Sequence, residues 1–84
     1  MKPIRFTKHA LEQCAERGTN EAEVREAIQR GIREPAKRGR LLCRANFQSN
    51  GNWQGHFYPI KQVAPIIAEE ATEIVVVTVY TFYF

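Results

Sequence analysis

Five side chains in this sequence have the types that phosphoryl chemistry requires: His9, Arg17, Lys61, Thr78 and Tyr80. Thr7 is a favourable helix N-cap, so His9 falls in a first helical turn, where the macrodipole disfavours imidazolium. A ring kept neutral near pH 7 is suited to act as a general base. The apolar stripe Ala10, Leu11, Cys14, Ala15 puts His9 on the opposite, polar side with Gln13 and Glu16, where a histidine can equally stand exposed without a task. Arg17 lies eight positions on, at the border of the two flanks. Its planar fork can grip a phosphate through two hydrogen bonds, or serve the helix C-terminus, where a cation is favoured. Alternation from Ile74 puts Thr78 and Tyr80 on one face of the final strand, and Val75, Val77, Val79, Thr81 and Tyr83 on the other. If the hydroxyl face opens to a cleft, the pair can bond a phosphate or give a proton to a leaving oxygen. Thr and Tyr also follow β-propensity with no further role. Lys61 is the one cation after Arg44.

A second set of residues points to a polyanion. The formal charge of +3 is unevenly placed: residues 1–44 hold eleven Lys/Arg against six Glu, whereas residues 45–84 hold Lys61 against Glu69, Glu70 and Glu73. Arg30, Arg33, Lys37, Arg38, Arg40 and Arg44 crowd around a single acid, Glu34. Such a cluster suits RNA, DNA or an acidic protein, with Arg33, Lys37, Arg38, Arg40 and Arg44 as the candidate nucleic-acid contacts. A solvated loop and edge strand would carry the same charges. Trp53, Phe57 and Tyr58 can stack on bases or pack in a core.

Other classes are set aside by what the chain lacks. It contains no Asp, no Gly-rich phosphate loop and no GxSxG, so a nuclease here is expected to work without a magnesium ion held by Asp/Glu clusters. Cys14, Cys43, His9 and His56 do not fall in ligand pairs, and no metal or cofactor is implied. The two cysteines, without a CxxC, read as small buried hydrophobes. The longest apolar stretch, Ile74 to Phe84, is too short to span a bilayer. Residues 1–30 are charged throughout with no signal-peptide core, so the expected location is the cytoplasm and no membrane partner is expected.

Eighty-four residues make one domain, 1–84. A short strand at Pro3 to Phe6 leads to two helices. The first runs from Thr7 to Gly18. The second is capped by Asn20 with Glu23 in the capping-box position, and carries the stripe Val24, Ala27, Ile28, Gly31, Ile32. Glu21/Arg25 and Glu26/Arg30 are favourable i,i+4 pairs, and Pro35 forbids continuation. Strands follow: Gly39 to Phe47, a turn at Asn50-Gly51, Trp53 to Ile60, Gln62 to Glu69 with Pro65 marking an edge or bulge, and Glu73 to Phe84, expected in the centre of the sheet. The fold class is α+β, with both helices packed on one face of a small antiparallel sheet. The aromatic end Phe82-Tyr83-Phe84 would gain cover by pairing with a second copy, a homodimer through the C-terminal strand.

The segments Ile4-Arg5-Phe6-Thr7-Lys8-His9-Ala10 and Glu16-Arg17-Gly18, then Glu21 to Gly31, resemble the opening of a small bacterial and archaeal family known as domain of unknown function 4258. Lys61-Gln62-Val63, Glu69-Glu70 and Glu73 through Tyr83 resemble its ending. In fold that family is similar to the RelE-like and BrnT-like toxin ribonucleases, which cleave RNA without metal. The resemblance implies a RelE-like sheet, an RNA substrate and a cognate antitoxin as partner. On this chain it implies His9 as the base for a 2′-hydroxyl, Arg17 and Lys61 on the scissile phosphate, and Tyr80 with Thr78 at the leaving oxygen. A non-catalytic module that binds nucleic acid or protein through the 30–44 segment is the alternative.

Overall fold

A computed structural model describes residues 1–84. In chain order the elements are β1 (Ile4–Phe6), α1 (Lys8–Arg17), α2 (Glu21–Arg30), β2 (Ile32–Pro35), a 3-10 turn at Lys37–Gly39, β3 (Leu41–Trp53), β4 (His56–Glu69) and β5 (Ile74–Tyr83). The strands form one sheet in the order β1-β5-β4-β3-β2, antiparallel except where β1 runs parallel to β5. Helix α1 packs on β5, and α2 on β3 and β4. Both contribute to one core with Cys43, Ala45, Val63, Ile67, Ile74, Val76 and Val79, which gives an α+β fold with its helices on one face. No helix is long and apolar enough to cross a membrane.

The helix signals act as the residue types require. Thr7 accepts from the Ala10 amide at 3.1 Å and donates to the Val76 carbonyl at 3.0 Å, so one side chain caps α1 and ties it to β5. Gly18 ends α1 in the left-handed conformation, φ 74°, where a Cβ would also lie 2.6 Å from Trp53 and from the Tyr83 hydroxyl. Asn20 accepts from the Glu23 amide at 2.9 Å, but the Glu23 carboxylate does not return to the cap. It accepts from the Thr19 hydroxyl at 2.8 Å and pairs with Lys61 at 2.7 Å. The Glu21–Arg25 and Glu26–Arg30 pairs form at 3.7 and 2.6 Å. At Gly31 the backbone is ordinary (φ −70°), and glycine is needed for space: a Cβ would collide with the Ala27 carbonyl and lie 2.7 Å from that of Arg44. The chain leaves the helix there, so Ile32 does not extend the buried stripe; it starts β2 and is 76% exposed.

The sheet departs from the sequence expectation in gaining β2, in the parallel pairing of β1, and at the places that follow. The reversal after β3 comes at Gln54-Gly55, both with positive φ, and not at Asn50-Gly51. Asn50 spends its left-handed tolerance (φ 45°) on a register shift between Gln48 and Gly51. The longer strand lets Trp53 stack on Tyr83, with ring centroids 5.0 Å apart and planes at 15°. The two strands expected from Trp53 to Glu69 are one, β4, and it is the middle strand of the sheet. Pro65 is therefore neither on an edge nor exposed. The β3–β4 pairing is interrupted between Leu42/Ile66 and Ala45/Val63, with the register unchanged, around the position where proline has no amide hydrogen to give.

Strand β5 is not central along its length. Only Ile74–Val76 have a neighbour on both sides, because β1 has three residues. The pairs Ile67↔Val76 and Ile66↔Thr78 leave Val77 as an extra residue in β5, a β-bulge. Past it the side-chain alternation reverses, and Val79 joins Ile74 and Val76 in the core. Thr78 and Tyr80 thereby move to the face opposite Ile74 and Val76, which carries no helix.

Candidate nucleic-acid interface

On the helix-free face the register aligns side chains into rows across three strands. Leu42, Ile66 and Thr78 form one row; Ala64 and Tyr80 the next; Asn46, Gln62 and Phe82 another. Gln48 faces Ile60, which exchanges both backbone hydrogen bonds with Phe84. Tyr80, Phe82 and Phe84 thus follow one another at i, i+2, i+4 and remain 38, 43 and 55% exposed.

At the Tyr80 end lies an open hollow of about 500 Å³ lined by Ala36, Lys37, Arg38, Arg40, Ile66 and Tyr80. The turn that supplies its cations is built from two consecutive left-handed residues, Arg38 (φ 62°) and Gly39 (φ 71°). It closes through the Ala36 amide on the Arg40 carbonyl at 2.8 Å, and the Arg40 amide on that of Lys37 at 3.3 Å. A left-handed arginine costs roughly 1 kcal/mol. The geometry turns Lys37, Arg38 and Arg40 toward one space, and none of the three enters a salt bridge.

Helix α1 borders the same face along the open side of β5. His9 Nε2 stands 3.1 Å from Thr78 Oγ1, with the tautomer deciding which group donates. The Arg17 guanidinium lies over the Tyr80 ring, 5.1 Å from its centroid. Gln13, between them on the ridge at i+4 from His9, has Oε1 buried without a hydrogen-bond donor. Four of the five sequence candidates for catalysis therefore fall into two contacts along β5, His9–Thr78 and Arg17–Tyr80, and of the four Tyr80 lines the hollow with Lys37, Arg38 and Arg40.

Lys61 does not join them. Its Nζ donates to the Gly18 carbonyl at 2.9 Å and pairs with Glu23 at 2.7 Å, with the side chain 14% exposed. It closes the junction of α1 and α2, together with Thr81 and Tyr83, which donate to the Arg17 carbonyl at 2.9 and 2.6 Å. Two of the basic candidates are likewise engaged. Arg33 pairs with Glu69 at 3.3 Å and donates to the Ile28 carbonyl at 3.0 Å. Arg44 binds both oxygens of Glu34 at 3.2 and 3.3 Å and Gln62 at 3.0 Å, and lies 5.5 Å over the Phe82 ring. Of the hairpin aromatics, Trp53 and Tyr58 pack against Tyr83, while Phe57 is 61% exposed. Cys14 and Cys43 are buried and unpaired, and burial pushes both thiols above their ordinary pKa.

Sequence reasoning missed Phe82 and Phe84 as members of this face. The i, i+2, i+4 spacing from Tyr80 was the available signal, but the face it points to depends on the bulge at Val77. No family model, curated protein or solved structure matches the chain.

Proposed function

We propose that this domain binds RNA on the helix-free face and cleaves it without a metal at the His9–Thr78 rim. The observation that carries the reading is Tyr80, which lines one hollow with the unpaired cations Lys37, Arg38 and Arg40, lies under the Arg17 guanidinium and stands two residues along β5 from the His9–Thr78 contact. In this reading His9 takes the 2′-hydroxyl proton, and the 2′-oxygen attacks the adjacent phosphorus. The bond from phosphorus to the 5′-oxygen breaks, leaving a 2′,3′-cyclic phosphate. The departing oxygen takes its proton from the Tyr80 hydroxyl, which solvent restores. Arg17 and the turn cations offset the charge that builds on the phosphate. Lys61 has no part, since its ammonium is committed to Glu23 and Gly18. The resemblance to the domain of unknown function 4258 family and the RelE-like and BrnT-like toxins supports the same chemistry and adds a cognate antitoxin as partner.

Incubation with RNA in EDTA should yield fragments ending in 2′,3′-cyclic phosphate, and His9→Ala should abolish them. Equal cleavage by wild type and His9→Ala overturns the assignment. A second reading, a binding module without catalysis, is favoured by the removal of Lys61 from the site. Under it RNA is bound and recovered intact.

A further inference from the structure

We infer that Tyr80, Phe82 and Phe84 form a stacking ladder for consecutive bases, which makes unpaired RNA the substrate class. The inference rests on the RNA-binding reading above and specifies what that surface selects. Three aromatic rings in a row on an open sheet face contribute little to the core, which lies on the other side of the sheet. Strand geometry places residues i and i+2 about 6.7 Å apart. That is about twice the ~3.4 Å rise per nucleotide of a stacked strand. Successive bases must therefore be splayed to meet successive rings, which a single strand permits and a duplex does not.

The charges around the ladder favour a polyanion over an apolar protein segment. Arg17 lies over Tyr80 and is in no salt bridge, so that ring has a free guanidinium beside it to meet a backbone phosphate, whereas Arg44 over Phe82 is paired with Glu34. Lys37, Arg38 and Arg40 extend the positive track past Tyr80. The one acid of the 30–44 segment, Glu34, is bonded to Arg44. Across the row, Ala64 stands opposite Tyr80 and Ile60 opposite Phe84, which leaves those two rings open, while Gln62 stands opposite Phe82.

The test measures binding of a hexauridylate, an abasic hexamer of equal charge and a duplex RNA, in EDTA, to wild type, Phe82→Leu and Phe84→Leu. Both substitutions are at exposed positions, and circular dichroism checks that each variant is folded. Wild type should prefer the hexauridylate to the abasic hexamer and to the duplex. Each substitution should weaken hexauridylate binding about five- to a hundredfold, with abasic binding and the salt slope unchanged. If wild type binds all three probes equally and the leucine variants bind as wild type, the ladder is overturned while RNA binding stands. If no probe binds, the functional reading falls as well; a dimer in light scattering that Phe82→Leu dissociates would then mark the face as an interface between copies.

Discussion

His9 Nε2 and Thr78 Oγ1 meet at 3.1 Å, joining the first turn of α1 to the residue just past the Val77 bulge. The contact crosses 69 positions of chain. It forms because Thr7 caps α1 and is itself bonded to the Val76 and Val77 carbonyls, at 3.0 and 3.3 Å. The cap that starts the helix thus also sets where its first histidine falls along β5.

Thr78→Val keeps the β-branched shape and removes the hydroxyl. In the catalytic reading the imidazole loses the group that orients it, and cleavage of RNA should fall about tenfold or more, on the way to the roughly 10²- to 10⁴-fold expected for loss of the base itself. Urea midpoints should barely move. A Thr78→Val protein that cleaves at the wild-type rate would show that the contact only holds structure.

Lys61→Met separates structure from function. Its partner Glu23 is largely covered, and the Gly18 carbonyl loses its donor, so stability should drop by about 2 kcal/mol. RNA affinity should stay within twofold. Full stability combined with lost cleavage would return Lys61 to the chemistry.

The salt dependence of RNA binding should distinguish free from committed cations. Replacing Lys37, Arg38 and Arg40 together by alanine should lower the slope of log K against log salt by about 2 for a single strand. Arg33→Ala should leave the slope nearly unchanged, because Glu69 and the Ile28 carbonyl already hold that guanidinium. Equal slopes for the two variants would remove the hollow from the interface.

Two glycines should fail for different reasons. A Cβ at Gly39 meets nothing within 4 Å, so Gly39→Ala costs only the left-handed backbone, about 1 kcal/mol. Gly31→Ala has a permitted φ but drives a Cβ into backbone carbonyls, and about 3 kcal/mol is expected. Thermal or urea unfolding of both variants decides the order.

The buried thiols predict an alkaline limit. Both have pKa values raised in the fold by burial, so the native state holds protons that the unfolded chain releases. Their contribution is intact below the unfolded thiol value of about 8.5. Stability should then fall as pH rises through the folded values. Denaturation from pH 7 to 10 with and without Cys14→Ala and Cys43→Ala would show it; a slope that persists without the thiols assigns it elsewhere.

Much of the chain is legible because its signals are local. Thr7, Gly18 and Asn20 act within a turn of where they stand, and Ala10, Cys14, Val24, Ala27 and Ile28 are buried as their spacing requires. Asn50-Gly51 misled because a left-handed residue, Asn50, serves a bulge as well as a turn. Pro65 pointed to an edge or a bulge; it is on the middle strand, next to the β4–β5 register shift at Ile66/Ile67.

The residue order alone determined the helices, the predominantly β second half, the α+β class and the types of group available for chemistry. Tertiary structure decided which of those groups meet. Strand side chains alternate by parity, so the single extra residue at Val77 reassigns everything beyond it: Val79 to the core, and Tyr80, Phe82 and Phe84 to the open face. Long-range pairing also decided that Lys61 and Arg44 are neutralised while Lys37, Arg38 and Arg40 stay free. Arg44 and Lys61 find their carboxylates across the fold, on β2 and on α2, where neighbours in the chain give no sign of it.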